Sequence, residues 1–177
     1  MIYKAKELDP LSSVIGVNIS EILQTQGDYK ASAEYSLKLI DLDPDFPAAH
    51  RTLGLSYLKL GRKAEGIAAL EKEADLRERS GLSLGPLGYA YAVTGRRTEA
   101  IAVAKELEDK FAKNEASGRD VAAVYAGLGD KDKAFEWMEK TFQRRGDLGF
   151  TRWEIPWESL RDDPRYKDLL KRIGLPD

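Results

Sequence analysis

The residue types that could do chemistry are few in this chain of 177 residues, and their spacing hands them to structure. There is no cysteine, which excludes disulfides, thiolate nucleophiles and cysteine-bound metals. His50 is the lone histidine, too little for an ordinary metal site and the one imidazole a Ser/His/Asp arrangement could use. It falls on the first turn of an expected helix at a repeated slot, so it reads as a packing or surface residue. The carboxylate pairs Asp41/Asp43 and Asp162/Asp163 lie at expected helix ends, where acids cap and complement the dipole. Nothing makes either an acid and base pair. The stretch Gly81-Leu82-Ser83-Leu84-Gly85-Pro86-Leu87-Gly88 lacks the lysine of a phosphate loop. No catalytic residue, cofactor site or metal site is expected, and the chain is not expected to be an enzyme.

What positions these residues is a period. Gly27, Gly61, Gly95 and Gly129 stand 34 residues apart, the signature of stacked helix–turn–helix units that bury their apolar faces against their neighbours. Eight residues before each glycine sit Ile19, Leu53, Leu87 and Val121, followed by the small Ser20, Gly54, Gly88 and Ala122. Four before it are Leu23, Tyr57, Tyr91 and Tyr125; five after it are Ser32, Gly66, Ala100 and Ala134. Small residues let two antiparallel helices approach closely while the large ones fill the grooves. The glycine suits a left-handed helix cap.

This pattern resembles the tetratricopeptide repeat. The likeness rests on Leu53-Gly54, Tyr57, Gly61, Gly66 and Leu70, with copies at Leu87-Gly88, Tyr91, Gly95, Ala100 and at Val121-Ala122, Tyr125, Gly129, Ala134. It implies an all-α fold, a right-handed superhelix of antiparallel helix pairs with a C-terminal capping helix. Two departures stand out. The family's large aromatic at the start of the first helix is replaced by Gly16, His50, Leu84 and Gly118. The closing proline is present at Pro44, but Glu78 and Ala112 stand in the next two units, so the later helices are expected to run longer.

First helices are expected over 13–26, 47–60, 83–94 and 117–128, and second helices over 29–42, 63–79, 97–113 and 131–145. Proline is tolerated in a first turn, so Pro86 places the start of its helix near Ser83. Ser117 and Asp120 resemble a capping box. The expected domain is a single solenoid, 1–177, with repeats over 13–46, 47–80, 81–114 and 115–148. Leu8-Asp9-Pro10 matches Leu42-Asp43-Pro44, so residues 1–10 read as the tail of a preceding repeat, expected either to follow further N-terminal repeats or domains of the same polypeptide or to serve as a short N-terminal cap.

At the other end, Asp163-Pro164 supplies a helix start, and Tyr166, Leu169, Leu170 and Ile173 form one apolar stripe ended by Gly174 and Pro176. Trp137, Trp153, Trp157 and Phe150 are expected to anchor the tail by packing. The segments 134–140, 159–166 and 169–176 also resemble the close of bacterial tetratricopeptide arrays that follow winged-helix, nucleotide cyclase or protein-kinase domains. That resemblance implies a regulatory or self-assembly module of a signalling protein, including a homo-oligomer.

The preferred function is a protein–protein interaction scaffold offering a concave groove to a protein or peptide. The repeat register puts Asn18, Glu21, Gln24, Thr25, Arg51, Thr52, Leu55 and Lys59 in the groove, with Tyr89, Ala92, Val93, Arg119, Asp120 and Ala123 beyond. A peptide with a charged end and an apolar anchor suits that lining. The family's carboxylate clamp for chaperone C-termini is not reproduced: its positions hold Val17, Glu21, Thr52, Leu82 and Pro86. The 28 basic and 30 acidic residues leave a net charge of -2, without the basic excess of a nucleic-acid-binding domain. No run reaches the length of a membrane span and no signal-peptide core opens the chain, so a cytoplasmic protein with no membrane or nucleic-acid partner is expected.

Overall fold

A computed structural model of the chain describes residues 12–144, 146, 148 and 155–175. These are helical and divide into two compact units, one ending at Arg79 and the other beginning at Ser80. The first holds two helix pairs, α1 (Ser13–Thr25) with α2 (Tyr29–Leu42) and α3 (Pro47–Lys59) with α4 (Lys63–Leu76). The second holds α5 (Gly81–Val93) with α6 (Arg97–Ala112), α7 (Gly118–Gly127) with α8 (Lys131–Gln143), a 3-10 helix (Ile155–Leu160) and the capping helix α9 (Pro164–Arg172). The tail of a preceding repeat expected over 1–10 lies outside the described residues, apart from which the expected pairs are all present.

The turn inside each pair is the same chemical object. Gly27, Gly61, Gly95 and Gly129 have φ of +78°, +77°, +88° and +77°, a region closed to most L-residues. The next N–H reaches back to close the helix: Asp28, Arg62, Arg96 and Asp130 donate to the carbonyls of Leu23, Tyr57, Tyr91 and Tyr125 at 2.9, 2.9, 2.8 and 3.0 Å. This is the Schellman arrangement, which satisfies carbonyls that a helix end leaves orphaned. Its usual apolar contact becomes a stacked guanidinium in two repeats, with Arg62 3.8 Å over Tyr57 and Arg96 4.3 Å over Tyr91. Where the same position is Asp28 or Asp130, the carboxylate instead caps the next helix by accepting from Ala31 or Lys133.

The small residues sit where helices touch. A Cβ on Gly54 would stand 2.6 Å from Leu70 Cγ and 2.9 Å from the Gly66 carbonyl, so α3 and α4 cross almost backbone to backbone. A Cβ on Gly16 would stand 2.4 Å from Leu39 Cδ2, and one on Gly118 would stand 2.5 Å from Thr141 Oγ1. At both positions the partner helix fills the space a side chain would take. The ring system nearest Gly118 is Phe111, set edge-on to Trp137 at 5.2 Å between centroids.

Two expectations about helix ends are corrected. α5 starts at Gly81, not near Ser83, and Pro86 lies in its interior. The Leu82 carbonyl therefore has no N–H from residue 86, and the helix continues past that gap to Val93. Close packing holds it: Gly81, Gly85 and Gly88 lie against Ala116, Asp120 and Val124 of the neighbouring segment and α7. Nor does α4 run longer for want of a closing proline; at 14 residues it equals α2, while α6 reaches 16. Glu78, at φ +50°, ends it through a left-handed residue, with Arg79 N–H bonding the Ala74 carbonyl at 2.8 Å.

The array closes on its last pair. Met138, Trp157, Leu160, Tyr166, Leu169 and Leu170 form one buried cluster with Phe135, and Ile173 packs against it. Asp163 caps α9 by accepting from Arg165 N–H at 3.0 Å. The Arg165 guanidinium then holds that carboxyl down to about 2. Trp137 and Trp157 pack as expected, whereas Phe150 and Trp153 lie outside the described residues.

Candidate functional site

In the first unit the expected groove residues separate into a surface set and an interior set. Asn18 and Thr25 are exposed on α1, one face of which also carries Glu21. Arg51 on α3 donates from Nη2 to Glu21 Oε1 at 2.7 Å, joining the first helices of adjacent repeats. Their side chains are 22% and 43% exposed, so this ion pair is a surface feature that solvent and partners reach. Gln24 is half-buried and donates to the Thr52 carbonyl at 2.8 Å and to Ser56 Oγ at 2.9 Å. Lys59 is exposed, with its ammonium 5.3 Å over the Tyr29 ring.

Thr52 and Leu55 are interior residues. Thr52 is 1% exposed, and its Oγ1 lies 2.7 Å from Ser36 Oγ and 3.1 Å from the Ala49 carbonyl. Around it runs a hydroxyl network that the sequence reading missed. Ser32 Oγ donates to the Ser20 carbonyl, Ser56 Oγ donates to Ser32 Oγ at 3.0 Å, and Ser36 Oγ lies 2.8 Å from the Ser32 carbonyl. All four serines are fully buried. The signal was present, since Ser20 and Ser32 fill slots that are glycine or alanine in every other repeat.

Glu73 was missed as well. It is 0% exposed, in the slot twelve residues past the turn glycine where other repeats carry Leu39, Leu107 and Thr141. Neither of its oxygens has a hydrogen-bond partner, and Arg77 Nε stands 3.4 Å from Oε1. Burial pushes its carboxyl up to about 7, against the pull of the Arg51 and Arg77 guanidinium groups.

In the second unit, Tyr89 and Arg119 are half-buried on α5 and α7. Asp120 is 8% exposed and belongs to the capping box: its Oδ2 accepts from Ser117 N–H at 3.0 Å, and Ser117 Oγ accepts from Arg119 N–H. It holds a helix start, which corrects its placement as a lining residue. Leu82, Pro86, Tyr89 and Val93 follow one another at helical spacing on one face of α5. Leu82 and Val93 are exposed large apolar residues on that stripe.

His50 Nε2 lies 2.7 Å from the Pro44 carbonyl, a fold contact. Among the described residues no group of three His, Asp or Glu side chains could hold a metal ion, and no helix is long and apolar enough to cross a membrane.

Residues 17–46, which are α1 and α2 with their turns, match the tetratricopeptide repeat family model. The helix pairs have the tetratricopeptide fold. Two solved structures share the fold of the chain. YrrB, described as a TPR protein with an unusual peptide-binding site, superposes with a TM-score of 0.54 at 15% identity, over 97% of this chain and 89% of that one. MamA does so with a TM-score of 0.53 at 20% identity, over 81% and 84%. A search of curated proteins finds no match. At these identities the two structures speak for the tetratricopeptide fold alone.

Proposed function

We propose that this chain is a protein–protein interaction scaffold whose first helices receive a peptide or a partner domain. The tetratricopeptide fold supports that class, and the peptide-binding site named for YrrB supports a peptide as ligand. The observation that carries the reading is the solvent-facing surface of α1 and α3. There Asn18, Thr25 and the Glu21–Arg51 pair offer donors and acceptors that the fold leaves reachable. Exposed ion pairs of this kind add little stability, so they are available to a partner at small cost. The stripe on α5 offers apolar anchor sites in the second unit.

The test is affinity capture from the source lysate with the wild type and with Asn18→Arg/Thr25→Arg, two exposed positions whose replacement leaves the core intact. The double variant is expected to keep the wild-type thermal melt and to lose a protein that the wild type retains. Equal capture by both would remove the first-helix face as the site.

A further inference from the structure

The capping helix meets the last repeat through long side chains, and these hold a cavity open between the two helices. On α8, Asp132, Phe135, Glu136 and Glu139 fall at i, i+3, i+4 and i+7; on α9, Arg165, Asp168, Leu169 and Arg172 repeat that spacing. Each helix therefore turns one stripe toward the other. The stripes are tied at both ends. Arg165 donates from Nη1 to Asp132 Oδ1 at 2.7 Å, and Arg172 donates from Nη1 and Nη2 to the two Glu139 oxygens at 2.9 Å each. The ties are seven residues apart on both helices, roughly 10 Å at about 1.5 Å per residue. The cavity at this seam measures about 310 Å³ and is floored by Phe135, Met138 and Leu169, all buried members of the terminal core cluster. Ligand sites run from about 300 to 1,000 Å³, so this one suits a side chain or two.

The charge around the floor selects the occupant. Four carboxylates line the cavity, Asp132, Glu136, Glu139 and Asp168, against two guanidinium groups. Both guanidinium groups are already shared. Arg165 also donates to the two Asp163 oxygens at 3.0 and 2.9 Å, and Arg172 to Asp168 Oδ2 at 3.4 Å. Each also lies 4.3 Å over a ring of α8, Arg165 over Phe135 and Arg172 over Phe142. Lys140 Nζ stands 2.7 Å from Glu136 Oε1. With Asp163 and Lys140 counted, five carboxylates face three cations among the described residues, and Lys131, whose charge acts on Asp163, makes a fourth. The other lysines of the two helices are turned elsewhere: Lys133 lies 4.8 Å over the Tyr125 ring, and Lys167 and Lys171 fall off the α9 stripe. The seam stays negative on either count, and its complement is a cation.

We infer that the cavity between α8 and α9 is a docking site for a basic side chain of a partner segment, whose alkyl stem lies on the Phe135, Met138 and Leu169 floor and whose charged head reaches the Glu136 and Asp168 carboxylates. Long basic side chains bury their stems on apolar surface while the head keeps polar company. Glu136 and Asp168 are exposed, one on each wall, and stand between the two ties. The ties set the separation of the helices before any partner arrives, so little ordering is left to offset on binding. The site draws on neither α1 nor α3, and is independent of the first-helix face.

The test is an NMR titration of the intact, nitrogen-15-labelled chain with the peptide acetyl-Leu-Arg-Arg-Leu-amide. Backbone amide shifts are expected to saturate and to centre on α8 and α9. The same peptide with citrulline for both arginines, alike in shape but uncharged, is expected not to bind. Glu136→Gln/Asp168→Asn is expected to weaken the affinity for the arginine peptide several-fold. Glu34→Gln/Asp45→Asn removes as many exposed charges from the first unit and is expected to leave it unchanged. The absence of a saturable shift, shifts centred on another surface, equal binding of the citrulline peptide, or the same affinity in the two double variants would each overturn the site. Shifts on α8 and α9 that grow with the concentration of the chain alone would give the seam to a second copy, and overturn it too.

Discussion

The two units meet the same packing problem with opposite chemistry. At the closest approach of α1, α2 and α3 in the first unit the contacts are Ser20, Ser32, Ser36, Thr52 and Ser56, joined by hydrogen bonds within the buried interior. At the matching positions of α5, α6 and α7 in the second unit stand Gly88, Ala100, Ala104, Asp120 and Val124; Asp120 is taken up by the cap of α7, Gly88 lies against Val103 and Val124, and the other three join Leu84, Val103, Leu107 and Val121 in an apolar cluster. The backbone spacing is alike because small side chains permit it in both. What differs is where the stability comes from. Dispersion and hydrophobic burial tolerate sliding, whereas a buried hydroxyl network is favourable only when every member has its partner. The first unit is therefore specified by geometry and the second by volume.

That contrast can be broken experimentally, and the largest effect should come from the second unit. Leu107→Ala removes a fully buried side chain from the apolar cluster and is expected to cost about 2–5 kcal/mol in urea unfolding. A loss below about 1 kcal/mol would show that volume does not specify this unit. The same slot in the first unit should respond in the opposite direction. Glu73→Leu is expected to stabilise the chain by about 3 kcal/mol at pH 8, from the shift of the carboxyl from 4.5 to about 7. The sign follows from linkage. The folded state holds the proton more tightly than the unfolded state, so the wild type loses stability as pH rises from about 4.5 and has lost it all above about 7. The advantage of Glu73→Leu should accordingly shrink toward pH 4.5, and a gain independent of pH would mean that Glu73 does not titrate with folding.

The smallest effects sharpen the comparison by exchanging residues at one slot. Ser36→Ala removes the bond between Ser36 Oγ and Thr52 Oγ1 while Thr52 keeps the Ala49 carbonyl, and should cost about 0.5–1.5 kcal/mol. Ala104→Ser introduces a hydroxyl where the surrounding cluster is apolar, and should cost a similar amount. If both melts matched the wild type, hydrogen bonding would not separate the units.

Helix positions were legible in the sequence because each turn repeats one local solution. A left-handed glycine, an N–H reaching back to a tyrosine or leucine carbonyl, and an acid or arginine after it are all written within six residues. The misreadings arose where a distant contact overrides local preference. Pro86 argues for a late helix start, yet Gly81, Gly85 and Gly88 pack closely against the neighbouring segment and helix, and the helix begins two residues earlier, at Gly81. Glu78 has no special claim to φ +50°, but it ends α4 all the same. The candidate site was legible in part. Register found Asn18, Glu21, Thr25 and Arg51 on the surface, but side-chain length and partners decide exposure, and these turned Thr52 inward and gave Asp120 to a cap. Glu73 was visible as the one charge in a column with Leu39, Leu107 and Thr141, which becomes informative only once the column is known to be buried.

The four identical glycine turns also bear on how such a chain changes over generations. A duplication or deletion that begins and ends at equivalent points of two turns keeps every hydrogen bond of the junction, so units of 34 residues can be gained or lost without relearning how to fold. The hydroxyl network is the exception. It draws on side chains from two successive repeats, so Ser20, Ser32 and Ser36 must be inherited together with Thr52 and Ser56. Recombination within the first unit is thereby restricted to blocks that carry both repeats. In the second unit the matching exchanges need only conserve size, apart from Asp120, whose cap partner Ser117 lies in the same repeat.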